Sequence, residues 1–124
     1  MKTIIHTMKS YTDLEQSKKL AEILSYDTVD QIWVDVPNSF TQYRHEGDIP
    51  YLYYSGIGIP CWSLSALLNI INKNFYPNIF HDGEAWNIEV THHDNNAIKY
   101  ETHCNDVIDG VFEIIINLHE KDII

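Results

Sequence analysis

Seven histidines and two cysteines are the residue types in this chain with the widest chemical range. His81, His92, His93 and His103 fall at or beside the ends of a run of alternating apolar and polar residues. Asp82, Asp94 and Cys104 adjoin three of them. If His81 and His103 reached one end of a sheet, they and Asp82 would make a three-ligand set for Zn²⁺ and support a small metal-assisted hydrolase. Against this, no ligand spacing demands a metal, and His92 and His93 are consecutive, so in a strand they would point to opposite faces. Polar residues also favour turns for conformational reasons alone. Cys61 falls on an apolar helical stripe and reads as a small buried hydrophobe. Cys104 beside His103 is no dyad by adjacency, because the partners must meet in space. Both thiols are expected free. Gly56-Ile57-Gly58 lacks the third glycine of a dinucleotide fingerprint, and no G-x-S-x-G elbow surrounds Ser63 or Ser65. No catalytic residue and no cofactor is therefore assigned.

The charge is more informative than the motifs. Eighteen carboxylates outweigh eight basic residues, for a net charge of -10. Four of the basic residues (Lys2, Lys9, Lys18, Lys19) crowd into the first nineteen positions, so the body of the protein is strongly anionic. Such a field repels phosphate backbones and anionic lipid and favours a basic protein partner. Solubility alone also accounts for it. The carboxylates with the best case for a patch are Asp106, Asp109 and Glu113, which share a helical face at spacings of three and four. Trp62, beside an apolar stripe, either caps that stripe or meets a partner. Tyr51, Tyr53, Tyr54 and Trp33 lack interleaved basic residues and do not form a nucleic-acid stacking platform.

The elements that position these residues are legible in outline. The 124 residues suit one domain, 1–124, with hydrophobic content of 44%. Residues 1–11 read as a loose N-terminal arm. Thr12-Asp13-Leu14-Glu15 fits a capping box opening a helix over 13–24. Gln31 to Val36 alternates as a strand, and Asn38 to Asp48 reads as a surface loop. Tyr51 to Tyr54 is a short aromatic strand. Pro60 suits a first helical turn, so the second helix is expected over 61–72 with Cys61, Leu64, Leu67, Leu68 and Ile71 inward.

A meander follows, with strands near 76–80, 86–91 and 98–101 and an Asp82-Gly83 turn. A third helix over 106–121, capped by Asn105, closes the chain. The expected class is α+β, an antiparallel sheet of three or four strands packed against two or three helices. Leu67, Leu68, Trp86, Ile88, Val111 and Ile115 should share one core. No apolar run suits a signal peptide or a membrane span, which makes the cytoplasm the default expectation.

The stretch Ile59-Pro60-Cys61-Trp62-Ser63-Leu64-Ser65-Ala66-Leu67-Leu68, with Glu15 to Leu20 upstream, resembles a family of small uncharacterised proteins. That family is encoded by prophages and mobile elements of anaerobic gut bacteria. Val29-Asp30, Trp86 and the Asn105 to Leu118 segment sit in the same order. The resemblance implies no activity, cofactor or catalytic residue. Together with the charge, it points to a non-catalytic binding or accessory protein acting on a basic host or phage protein.

Overall fold

The computed structural model describes residues 8–36, 39–43 and 58–124. The fold is mixed α+β with two antiparallel three-stranded sheets. Its order is α1 (Leu14–Ala21), a 3-10 turn (Tyr26–Thr28), β1 (Gln31–Val36), β2 (Ser39–Tyr43), β3 (Gly58–Cys61), α2 (Leu64–Asn72), β4 (Phe75–His81), β5 (Trp86–His92), β6 (Lys99–Cys104) and α3 (Val107–Glu120). The first sheet runs β2-β1-β3 and the second β4-β5-β6. Among the described residues no helix is long and apolar enough to cross a membrane. The expected aromatic strand at Tyr51 to Tyr54 lies outside the described residues.

The meander, β4-β5-β6, is the expected sheet covered by helices. Its alternation puts Phe75, Ile88 and Val90 on one face, where α2 and α3 pack. Leu67, Ile71, Ile108, Val111, Ile114, Ile115 and Leu118 come down from the helices, all but fully buried. Leu68 and Trp86, expected in this core, pack at its margin half-buried. Helix α3 approaches the sheet closely at Gly110. A β-carbon there would stand 2.4 Å from Ile88 Cδ1 and 2.5 Å from Cys104 Sγ, so a side chain would force the helix off the sheet. The β4–β5 turn uses its glycine conformationally, with Gly83 at φ 97°.

The first sheet corrects three expectations. Part of the polar stretch 38–48 is not loop but strand β2, paired to β1 from Ile32–Tyr43 to Val36–Ser39. An edge strand needs no apolar face of its own to earn its ladder, which is why its sequence passes for a loop. Pro60 opens no helix. It sits in β3, opposite Ile32, on the sheet's other edge, where a missing N–H costs least. Helix α2 therefore begins later, at Leu64, capped by the Ser63 hydroxyl accepting from the Ala66 N–H. Cys61 belongs to β3 and is fully buried.

Two other caps shift by one residue. Asp13, not Thr12, caps α1 in a reciprocal box with Gln16. Asp106, not Asn105, caps α3, accepting from the Ile108 N–H. Aspartate is a better N-cap than threonine, and at either helix its carboxylate also meets the positive end of the helix dipole. Helix α1 is shorter than expected and lies against β3 of the first sheet.

Candidate functional site

The recognisable motif builds a joint. Thr12, Ser17, Cys61 and Trp62 are completely buried where α1, β3 and the start of α2 meet. Thr12 Oγ1 lies 2.7 Å from Ser17 Oγ and accepts from the Trp62 backbone N–H at 3.2 Å. The Thr12 N–H returns a bond to the Trp62 carbonyl at 2.9 Å. Trp33 Nε1 donates to Ser17 Oγ at 3.1 Å, and Trp62 Nε1 to Thr28 Oγ1 at 2.8 Å. Asp30 takes both the Ser63 N–H, at 2.9 Å, and the Ser63 hydroxyl. Each of these polar groups has an internal partner, as burial requires, while the side-chain oxygen of Gln31, across from Cys61, is buried without one. Trp62 offers nothing to a partner protein, because its ring is inside and its N–H is spent.

The acidic stripe of α3 is likewise only partly a surface. Asp106 is 1% exposed. One of its oxygens caps the helix and the other accepts from the Lys9 backbone N–H at 2.8 Å. Asp109 Oδ1 accepts from Lys9 Nζ and from Gln16 Nε2, both at 2.7 Å. Lys9 Nζ also meets Asp13 at 3.0 Å. Partial burial pulls the Lys9 ammonium down, but the carboxylates of Asp109 and Asp13 outweigh it and hold its pKa above the ordinary value. Burial pushes Asp13 up, and the Gln16 backbone N–H and Lys9 more than reverse this, leaving it low. Glu113 is exposed and accepts from Thr102 Oγ1 at 3.1 Å. Two of the three carboxylates thus fasten the arm to α3 and α1, Asp106 fully buried and Asp109 half-exposed but paired with Lys9.

The sheet register separates the histidines. His81 pairs with Trp86, which pairs with Cys104 across β5. His103 pairs with Asn87, and Asn87 with Phe80. Cross-strand partners share a face, and consecutive residues do not, so His81 and His103 point to opposite sides of the meander. Asp82 is committed elsewhere: it accepts from the N–H groups of Glu84 and Ala85 and from Asn87 Nδ2. The Asn87 bond leads these in holding its carboxyl well below the usual range. Among the described residues no three His, Cys, Asp or Glu side chains converge on a metal-sized site. Neither Cys61 nor Cys104 is joined in a disulfide. Burial pushes the Cys104 thiol up, away from the thiolate a nucleophile needs.

What remains unspent is the other side of the meander. Three cross-strand rows form it: Tyr76, Thr91 and Lys99; Asn78, Glu89 and Glu101; Phe80, Asn87 and His103. The helices pack on the opposite face. Tyr76 is 63% and Phe80 41% exposed, two of three exposed large hydrophobics among the described residues. Tyr76 is steadied by the His93 ring, centroids 4.2 Å apart. Between them, Glu89 and Glu101 stand directly opposite one another. Like charges so placed destabilise a sheet. The ion pairs among the described residues are those of Lys9, so neither glutamate is neutralised by one. A depression of about 390 Å³ opens here beside Lys99.

The β4 edge of this sheet is interrupted against another strand. The Asn74 carbonyl accepts from the His93 N–H at 2.9 Å. Alternation then gives the β5 ladder to Tyr76, Asn78 and Phe80 and turns the backbone of Phe75, Pro77, Ile79 and His81 to the open edge. Pro77 sits at the middle of that edge and has no N–H to offer. Strand addition along β4 is hindered at that position, while no described helix covers the outward face.

Sequence reasoning missed this face. Its signal was present in the same alternation that predicted the core: if Ile88 and Val90 are inward, Tyr76, Phe80, Glu89 and Glu101 are outward. No family model, curated protein or solved structure matches the chain.

Proposed function

We propose that this is a non-catalytic protein-binding module, an accessory protein of a phage or mobile element working in the cytoplasm, whose open meander face receives a basic polypeptide. The observation that carries the reading is the Glu89–Glu101 pair set between exposed Tyr76 and Phe80 on a sheet face that no described helix covers. Aromatic side chains supply contact area and a π-face for cations, and the paired carboxylates supply charge that a basic partner relieves. The net charge of -10 steers such a partner in and keeps nucleic acid and anionic membrane away.

A short Arg- and Lys-rich peptide tests this by calorimetry at low and high salt. Replacing Glu89 and Glu101 together by Gln is expected to weaken binding about three- to tenfold, the range for exposed charge pairs. Replacing Glu15 on α1 and Glu22 at its C-cap by Gln changes net charge equally and should leave affinity within about twofold, since screening confines the effect to nearby charges. Equal losses from both pairs would mean diffuse attraction with no face, and the reading would fall.

A further inference from the structure

A second opening lies at the end of the meander, where the β4–β5 turn faces the N-terminal arm and the start of α3. It has a volume of about 430 Å³ and is lined by Met8, His81, Glu84, Ala85, Trp86 and Asn105. Trp86 gives it an aromatic wall, half-buried and braced edge-on by the His81 ring at 5.1 Å. His81 Nδ1 is occupied, accepting from the Gly83 N–H at 3.0 Å.

The groups that remain for a ligand are those of Glu84, Asn105 and Met8. Glu84 is exposed, and only its backbone N–H is engaged, with Asp82. Asn105 is exposed because Asp106 caps α3 in its place, which leaves the Asn105 amide facing the opening. Met8 supplies a soft, polarisable side, 37% exposed. Among the described residues no lysine or arginine lines the opening, and the Asp82 carboxylate, held ionised, lies in the same turn.

We infer that this opening, which lies at the sheet end on the helix side, takes an arginine side chain of a basic polypeptide that continues around the sheet end from the Glu89–Glu101 face; the inference rests on the reading of that face as the docking surface. A guanidinium is planar and weakly hydrated, stacks on indole, and presents several donors at once. Trp86 meets its π-face and Glu84 takes two of its N–H groups. The Asn105 carbonyl oxygen takes a third, while the Cβ–Cδ stem lies against Met8 and Ala85. A carboxylate or phosphate ligand would find Glu84 and Asp82 repelling it.

The test uses the full chain labelled with ¹⁵N, titrated with an arginine-containing peptide and with the same peptide carrying neutral citrulline at each arginine. The arginine peptide should shift the Trp86 indole N–H and the Ala85 and Asn105 amides, and the citrulline peptide should not. Glu84→Gln, which leaves the turn's backbone bonds to Asp82 intact, should weaken binding about three- to tenfold. Trp86→Phe should weaken it about two- to tenfold, the cation–π range. If the amides of Glu89 and Glu101 shift while those around Trp86 stay still, or if citrulline serves as well, the arginine site is wrong and the face reading stands. If no signal moves with the arginine peptide, both fall.

Discussion

The two sheets are built alike and used differently. Each has three antiparallel strands. Beside β1 and β3 a set of polar side chains turns inward. Thr12, Ser17, Asp30, Trp33, Trp62 and Ser63 bond one another across elements far apart in sequence. Around β4-β5-β6 the core face is apolar, and the polar and aromatic residues of the other face bond little beyond their own turns. The stretch that is most distinctive as a motif is therefore spent on holding the fold, and the stretch with no motif holds the free chemistry. A distinctive run of residues marks a demanding position, and a buried joint is as demanding as a binding site.

The contrast breaks first, and hardest, at the joint. Trp62→Ala should cost about 3–5 kcal/mol, the range for deleting a buried aromatic, and should leave Thr28 without its donor. Urea denaturation measures it, and a loss below about 1 kcal/mol would put Trp62 on the surface after all. On the meander side the same treatment should be mild. Tyr76→Ala removes an exposed ring and should change stability by about 0.5 kcal/mol or less, while lowering affinity for a basic peptide.

The core shared by both helices gives an intermediate case. Gly110→Ala puts a methyl where Ile88 and Cys104 already stand, and should destabilise by about 1–3 kcal/mol despite alanine's better helix propensity. A stabilised Gly110→Ala variant would show that α3 rides higher on the sheet. Leu67→Ala should cost about 2–5 kcal/mol, and Leu68→Ala, at the margin, clearly less.

How much of this was legible follows from which residues had competitors. The meander and α3 were readable because Trp86, Ile88, Val90 and then Val107, Val111 and Ile115 repeat at periods that nothing nearby contradicts. Helix α2 was read three residues early because Pro60 is equally at home in a first helical turn and on a sheet edge, and only β1 decides between them. Strand β2 was read as loop because its pairing with β1, not its own pattern, makes it a strand. Asp106, Asp109 and Glu113 do share a helical face, as their spacing says. That Lys9, about a hundred positions away, would claim two of them is a tertiary fact with no local trace.

Lys9 supplies a pH-dependent test of the same comparison. Its pKa is raised above 10.5, so its contribution is whole below that value and fades as pH rises through the folded-state pKa. The Asp13 pKa is lowered from 3.8, so its contribution is present above that value and is lost as pH falls through the folded-state pKa. Lys9→Met should therefore lower Tm at neutral pH, and the difference from the parent should shrink below about pH 3.8. A difference that persists unchanged in acid would assign the loss to the lysine stem's packing.

The smallest effect has the opposite sign. Glu101→Gln should stabilise the free protein by about 0.2–1 kcal/mol by relieving Glu89, and should weaken the peptide complex at the same time. Thermal melts and titration on one sample separate the two. A substitution that stabilises and binds better would remove the electrostatic basis of the docking face.

Asp106 has a consequence for the order of events as the chain is made. Its two oxygens join the first turn of the last helix to the backbone of Lys9, across 97 positions of sequence. The arm has no such acceptor until α3 begins to wind, since the Asp106 oxygens are placed by that helix. During synthesis, α1 and the first sheet can assemble early, with the Ser10 carbonyl taking the Leu64 N–H, but the Lys9 backbone must wait for the last helix to emerge. Closing so long a loop is slow compared with forming a hairpin. The seating of the arm is thus a late event, and the protection of the Lys9 amide from solvent exchange would report that the C-terminal helix has reached its place.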